Sequence, residues 1–218
     1  IIHGKNSFLR LGDILKDYNF KNSIVICDKK IKDIDYIKKN IKFLKKKFYI
    51  AFNEEPSYEQ LDKEIKKIKK IQYVDCIIAI GGGSTIDFAK GIAILLKNKG
   101  NAIKFMGFPK NLKKNLPVIA IPTTTSTGSE IIFNAVFIDK SSKIKLGINY
   151  EKNYPHLSIL DTKLISTAPR KIINQSAIAS LMRAIETYTS PDADEITRFF
   201  SKQAYLMIST AINNKRNI

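Results

Sequence analysis

Cysteine is scarce: Cys27 and Cys76 are the only two in 218 residues, too few for a disulfide framework and wrongly spaced for a Cys-x-x-Cys metal pair. Both sit inside apolar runs, as structural thiols of a reducing compartment do. Long hydrophobic segments are missing too. The longest apolar stretches, Cys76 to Ile80 and Ile92 to Leu96, fall far short of the roughly 18 residues a membrane helix needs. No charged-then-apolar leader with a small-residue cleavage site opens the chain, so the expected location is cytoplasmic, with no membrane partner. Glycine and proline, at 10 and 7, are too few for a fibrous or low-complexity protein. Histidine is almost absent: His3 and His156 stand far apart and read as surface or capping residues, not metal ligands. Acidic residues are outnumbered 20 to 37, a net charge of +17.

What is present is a globular composition, 44% hydrophobic and 26% charged, at a length that suits one large or two small domains. The positive charge is almost all lysine, 32 against 5 arginines, with isoleucine and asparagine also abundant. That is a compositional bias more than a polyanion-binding signature. The densest run, Tyr36 to Phe48, reads YIKKNIKFLKKKF. Its apolar Ile37, Ile41, Leu44 and Phe48 fall on one helical face with lysines on the other, which predicts a solvated helix. Zinc-finger spacing, an RNP aromatic motif and a recognition helix are all missing, which disfavours a nucleic-acid partner. The chain starts at Ile1 and stops at AINNKRNI, and it reads as a piece of something longer.

Short apolar runs alternate with helical patterns. Strands are expected at Ser23 to Asp28, near Phe48 to Asn53, through YVDCIIAI, at Pro117 to Pro122 and at LSILD near Leu157. Helices are expected at Tyr58 to Ile71, with Leu61, Ile65 and Ile68 at helical spacing, and after Gly83, with Ile86, Ala89, Ala93 and Leu96 on one face. Asn134 to Asp139 and Lys143 to Ile148 read as a hairpin pair. The order strand, tight turn, helix is the alternation of a mostly parallel α/β sheet with flanking helices, Rossmann-like in architecture. From Pro169 to Asn213 everything reads as helix. The expected organisation is an α/β dinucleotide-binding domain over 1–167 and the first helices of an incomplete all-helical domain over 168–218.

Chemistry concentrates in two loops. Gly81, Gly82, Gly83 and Ser84 follow a buried strand and precede a helix, where amides and the positive end of the helix dipole favour an anion such as a phosphate. No Gly-Lys-Ser/Thr follows, and only the first half of a GxGxxG fingerprint is present; a plain tight turn would also produce these glycines. The second loop, PTTTSTGSE from Pro122 to Glu130, offers hydroxyls at Thr123, Thr124, Thr125 and Thr127. Two such loops at the ends of neighbouring parallel strands form a nucleotide-binding crevice. Asp28 ends the first strand, where a carboxylate can accept from a ribose diol or simply cap a turn.

Together DCIIAIGGGSTIDFAKGIA, PVIAIPTTTSTGSE followed by AVFID and a lysine, ILDTKLISTAP and RAIETYTS resemble the iron-containing (group III) alcohol dehydrogenase family, from near Gly4 to about Ile212. The resemblance implies an N-terminal dinucleotide-binding domain, a helical domain, and a cleft holding NAD(P) and iron or zinc. By position, Gly82, Gly83 and Ser84 would hold the pyrophosphate, and Thr123, Thr124 and Thr127 would line the ribose path. Lys145 and Leu164 would contact the rest of the dinucleotide. Asp28 would bind the adenosine ribose and favour NAD(H) over NADP(H), and Asp87 with Lys90 would brace the glycine turn. The family's Asn-Pro pair near the adenine is Glu55 and Pro56 here. The first two metal ligands of the family, an Asp and a His four residues apart, correspond to Ala179 and Arg183. The resemblance therefore implies the cofactor without the iron or zinc.

Three readings follow. One is a working oxidoreductase on a small alcohol or aldehyde, possible homodimer, with Arg183 holding an anionic substrate or a developing oxyanion. The second is a catalytically inactive, truncated nucleotide-binding remnant. The third is a basic polyanion-binding module.

Overall fold

The computed structural model describes residues 1–52, 55–71, 73–125 and 127–214. The strands are β1 (Ile2–His3), β2 (Ser23–Asp28), β3 (Lys46–Ile50), β4 (Cys76–Gly81), β5 (Val118–Pro122), β6 (Asn134–Ala135), β7 (Ile138–Asp139), β8 (Ile144–Lys145), β9 (Ile148–Asn149) and β10 (Leu157–Leu160). The α-helices are α1 (Leu11–Asp17), α2 (Asp35–Asn40), α3 (Tyr58–Ile68), α4 (Gly83–Lys97), α5 (Thr162–Ile165), α6 (Arg170–Thr189) and α7 (Glu195–Asn213). Among the described residues no helix is long and apolar enough to cross a membrane.

Six strands form one sheet in the order β1-β10-β5-β4-β2-β3, and every pairing in it is parallel. The near-continuous apolar strands have a direct cause, because helices cover both faces. Side chains alternate along β2: Ile24 and Ile26 join a core with α3 and α4, while Val25 and Cys27 join a second core with Phe8, Leu11, Ile37 and Ile159 on the other face. Helix α4 is buried nearly all round, with Phe88, Ile92, Ile94 and Leu95 as inaccessible as the expected stripe of Ile86, Ala89 and Ala93. Gly91 permits this: a Cβ there would stand 2.9 Å from both Leu61 and the Phe137 ring. The expected hairpins form as two short antiparallel pairs, β6 with β9 and β7 with β8.

The lysine-rich run corrects the sequence reading. Helix α2 stops at Asn40, and Lys46 to Ile50 is a strand paired with β2 from Ile24↔Lys46 to Asp28↔Ile50. Ile37, Ile41 and Leu44 are buried as expected, but by a short helix and the turn after it. Apolar spacing alone did not distinguish a long helix from helix, turn and strand, and pairing with β2 decides the matter. That pairing also draws the strand to Lys46–Ile50, earlier than Phe48 to Asn53, the last of which lies outside the described residues. Helix α3 ends at Ile68, not Ile71.

The chain divides into two compact units, Ile1–Thr123 with Gly128–Ser166, and Thr124–Thr127 with Thr167–Ile218. In the first, the N-terminal segment is fastened by Asp161. Its carboxylate accepts from the amides of Asn6, Phe8 and Lys163 and from the Tyr36 hydroxyl, at 2.8 to 3.0 Å. In the second, α6 and α7 pack together and α7 is capped by Asp194, which accepts from the Thr197 amide at 2.7 Å.

Candidate functional site

Strand order reverses between β2 and β4: from β2 the chain goes outward to β3, then crosses back to place β4 on the other side of β2. In an open parallel sheet the crevice beyond the carboxyl ends at such a switch point is where ligands bind. Asp28 closes β2 and Gly81 closes β4, and the register pairs Cys27 with Ile80 immediately before them. The next strand, β5, brings Pro122 opposite Gly81, and the Thr123 amide donates to the Gly81 carbonyl at 2.9 Å. Three sequence-predicted elements, Asp28, the glycine turn and Thr123, thus meet at one edge of the first unit.

The glycine turn is built for close backbone approach. A Cβ on Gly81 would lie 2.3 Å from Thr85 Oγ1 and 2.6 Å from its Cβ, so a side chain is excluded there. Gly82 is the N-cap of α4, and its carbonyl accepts from the amides of Thr85 and Ile86 at 3.0 and 3.2 Å. The amides of Gly83 and Ser84 have no acceptor among the described residues, as the first turn of a helix dictates. Ser84 is partly exposed and Thr123 is buried.

Asp87 and Lys90, in the turns of α4 that follow, tie the helix to the segment from Ile132 to Val136. The Lys90 side chain is wholly buried, and its ammonium donates to Asp87 Oδ1 at 3.3 Å and to the carbonyls of Ile132 and Asn134 at 3.0 and 2.7 Å. Asp87 Oδ2 accepts from the Val136 amide at 3.1 Å. Burial pushes the Asp87 carboxyl up and the Lys90 ammonium down, and each charge opposes the shift of the other. Three acceptors thus meet the three N–H bonds of Lys90.

Other expected residues have different surroundings. Asp28 Oδ1 accepts from the Lys30 amide at 2.9 Å and caps a short 3-10 turn. Lys145 lies on the exposed β8 with its ammonium 2.5 Å from Glu55. Leu164 is fully buried in the core that also holds Phe8 and Ile159, so its side chain presents no surface. Thr124 and Thr127 belong to the second unit. So do Ala179 and Arg183, which lie one turn apart on α6, both exposed. A methyl group has no donor atom for a metal, and a guanidinium is permanently cationic; these two side chains do not fit iron or zinc.

Sequence reasoning passed over Glu130, whose carboxyl is pushed up by burial and drawn back by Lys90. It also passed over Tyr36, which it named only as the start of the lysine-rich run. Neither carries a local signal, because the groups they meet come from distant segments.

Comparison with known proteins agrees with this geometry. The sequence pattern of the family "Iron-containing alcohol dehydrogenase" matches residues 1–162. The NAD-dependent methanol dehydrogenase of Bacillus methanolicus is 28% identical over 94% of this chain and 55% of its own length. The 4-hydroxybutyrate dehydrogenase of Clostridium kluyveri is 35% identical over 80% of this chain and 49% of its own. The crystal structure of sulfoacetaldehyde reductase from Bifidobacterium kashiwanohense in complex with NAD+ superposes with a TM-score of 0.87 at 24% identity, over 95% of this chain and 56% of that one. The chain spans about half the length of the curated relatives it matches. With the family pattern running through both the glycine turn and the Thr123 loop, this chain belongs to the iron-containing alcohol dehydrogenase family.

Proposed function

We propose that the first unit forms the NAD(H)-binding part of an oxidoreductase acting on a small alcohol or aldehyde. The observation that carries the reading is the juxtaposition of the acceptor-free Gly83 and Ser84 amides with Thr123 at the switch point. Two amides at a helix N-terminus and neighbouring hydroxyls suit a pyrophosphate, and Gly82 leaves room for it. Asp28, one strand away, is the residue offered to the adenosine ribose diol; its negative charge would repel a 2′-phosphate and so favour NAD(H) over NADP(H). Asp87 and Lys90 hold the turn in place, and Lys145 is offered to the dinucleotide in exchange for its exposed partner Glu55. Leu164 contributes as a wall of the underlying core.

When bound, the nicotinamide supplies hydride chemistry: an aldehyde carbon accepts hydride from NADH, its oxygen takes a proton, and alcohol and NAD+ result. The chain's own part is to bind and orient the dinucleotide. Arg183 is the candidate for holding an anionic substrate or a developing oxyanion, on the strength of its exposed charge. Ala179 and Arg183 do not supply the metal ligands, so the reading assigns them no iron or zinc. The two thiols, both buried and unpaired, accord with a cytoplasmic setting. A homodimer is part of the reading by family.

One reading competes on a specific observation: with Ala and Arg at the two ligand positions, the chain keeps nucleotide binding and lacks turnover. Titration with NADH and NADPH, followed by nucleotide fluorescence with and without added iron or zinc, tests the common ground. Saturable binding that prefers NADH and is indifferent to metal supports the nucleotide assignment; absence of binding to a folded chain overturns it. Turnover of NADH by small aldehydes, abolished by Arg183→Ala, then separates the working enzyme from the inactive one.

A further inference from the structure

A second concavity lies at the opposite edge of the same sheet. It measures about 580 Å³ and is bounded by α1, the link from Phe20 to Ser23, and the turn from Phe43 to Lys46, within the usual size range of small-molecule sites. Its floor includes Ser23, which opens β2, whereas Asp28 closes that strand. Five residues at roughly 3.3 Å each set the two edges about 16 Å apart along the strand, so this cleft is separate from the switch-point crevice.

Four lysines are among its lining residues: Lys16, Lys21, Lys45 and Lys46. Only Lys16 has a carboxylate within ion-pair distance among the described residues, Asp13 at 3.7 Å, and both of those side chains are about four-fifths exposed, where solvent screens the attraction. The nearby carboxylate of Asp75 is occupied on one oxygen by the amides of Lys21 and Asn22, each at 2.7 Å. The lining also contains two aromatic rings. Phe43 is 54% exposed and leans over Gly12, where no side chain intrudes; a Cβ there would lie 3.8 Å from the ring. Phe20 stacks on Tyr18 at 5.8 Å and 9°. A solvated lysine face needs neither a concavity nor an exposed ring, and here lysines from three segments share one cleft with Phe20 and the exposed Phe43.

We propose that this cleft is a second ligand site, for a small aromatic anion of the nucleoside monophosphate type. The rings would take the flat apolar body and the lysines the phosphate. A single concavity bounded by three segments suits a mononucleotide better than a strand of nucleic acid, which tracks an extended groove. The inference does not depend on the NAD(H) assignment.

The chain contains no tryptophan, so Phe43→Trp places a single tryptophan in the cleft, excited selectively over the tyrosines. Titration of that variant with AMP is expected to give a saturable emission change. Lys21→Glu or Lys45→Glu in the same background should weaken it at least tenfold with the circular dichroism unchanged, and adenosine without phosphate should bind at least tenfold less tightly. Calorimetric titration with AMP of the chain with Phe43 in place should show saturable binding that Lys21→Glu weakens at least tenfold. The proposal is overturned by no response to millimolar AMP in both assays, by equal affinity in the charge-reversed variants, or by equal affinity for adenosine. A response to oligonucleotide alone would also overturn it, assigning the surface to nucleic acid.

Discussion

The Lys90 ammonium lies 3.3 Å from the Asp87 carboxylate one turn along α4, with no part of the lysine side chain exposed. The pair ties α4 to the chain at Ile132, Asn134 and Val136. Removing one partner leaves the other charge buried and uncompensated, which typically costs about 3–5 kcal/mol. Lys90→Met and Asp87→Asn are each expected to lose stability of that order in urea denaturation, and the double variant less than the sum of the two.

Gly81→Ala should be poorly tolerated for a steric reason. The added methyl meets Thr85 at both Oγ1 and Cβ, and overpacking of this kind costs roughly 1–3 kcal/mol. Thr85→Ala in the same chain is not expected to restore stability or NADH affinity, because the Cβ contact at 2.6 Å remains. Recovery in that double variant would show that the backbone, not the side chain, yields.

Asp161 predicts an acid dependence. Burial raises its carboxyl, but the hydrogen bonds from Phe8, Tyr36, Asn6 and Lys163 outweigh that and hold it below the ordinary range. A carboxyl depressed in the folded state stabilises above the unfolded value of about 3.9, and the contribution is lost as pH falls through the folded value. Stability measured by denaturation should therefore fall below about pH 4. Asp161→Asn should flatten that fall and cost about 1–3 kcal/mol at neutral pH through unpaired donors.

Both thiols should be inert in the native chain. Burial, reinforced by Asp28 next to Cys27 and Asp75 next to Cys76, pushes each up to about 12, so the thiolate is negligible at pH 8. Ellman's reagent is expected to label neither cysteine until denaturant is added, and then both.

Much of the fold was legible because the signals are local. The apolar run through Ile77 to Ile80 followed by glycines reads as strand, turn and helix, and is β4 into α4. The run from Tyr36 to Phe48 misled because its apolar residues fit a helical repeat equally well, and only the ladder between β2 and β3 shows where the helix must stop. Asp161 looked like the end of a strand in LSILD. Its role as the anchor for Asn6, Phe8 and Tyr36 depends on residues more than 120 positions away.

The amino-acid sequence by itself determined the class of the fold and the glycine and threonine loops. These are properties of residue type and spacing, and they survive without coordinates. The tertiary structure decided which loops meet. Strand order and register set Asp28 and Thr123 on either side of Gly81 and make their common edge a switch point. It also decided which charges are buried, pairing Lys90 with Asp87 while leaving Lys21, Lys45 and Lys46 around an open cleft. Burial and long-range pairing arise from the packing of distant segments, and sequence spacing carries no measure of either.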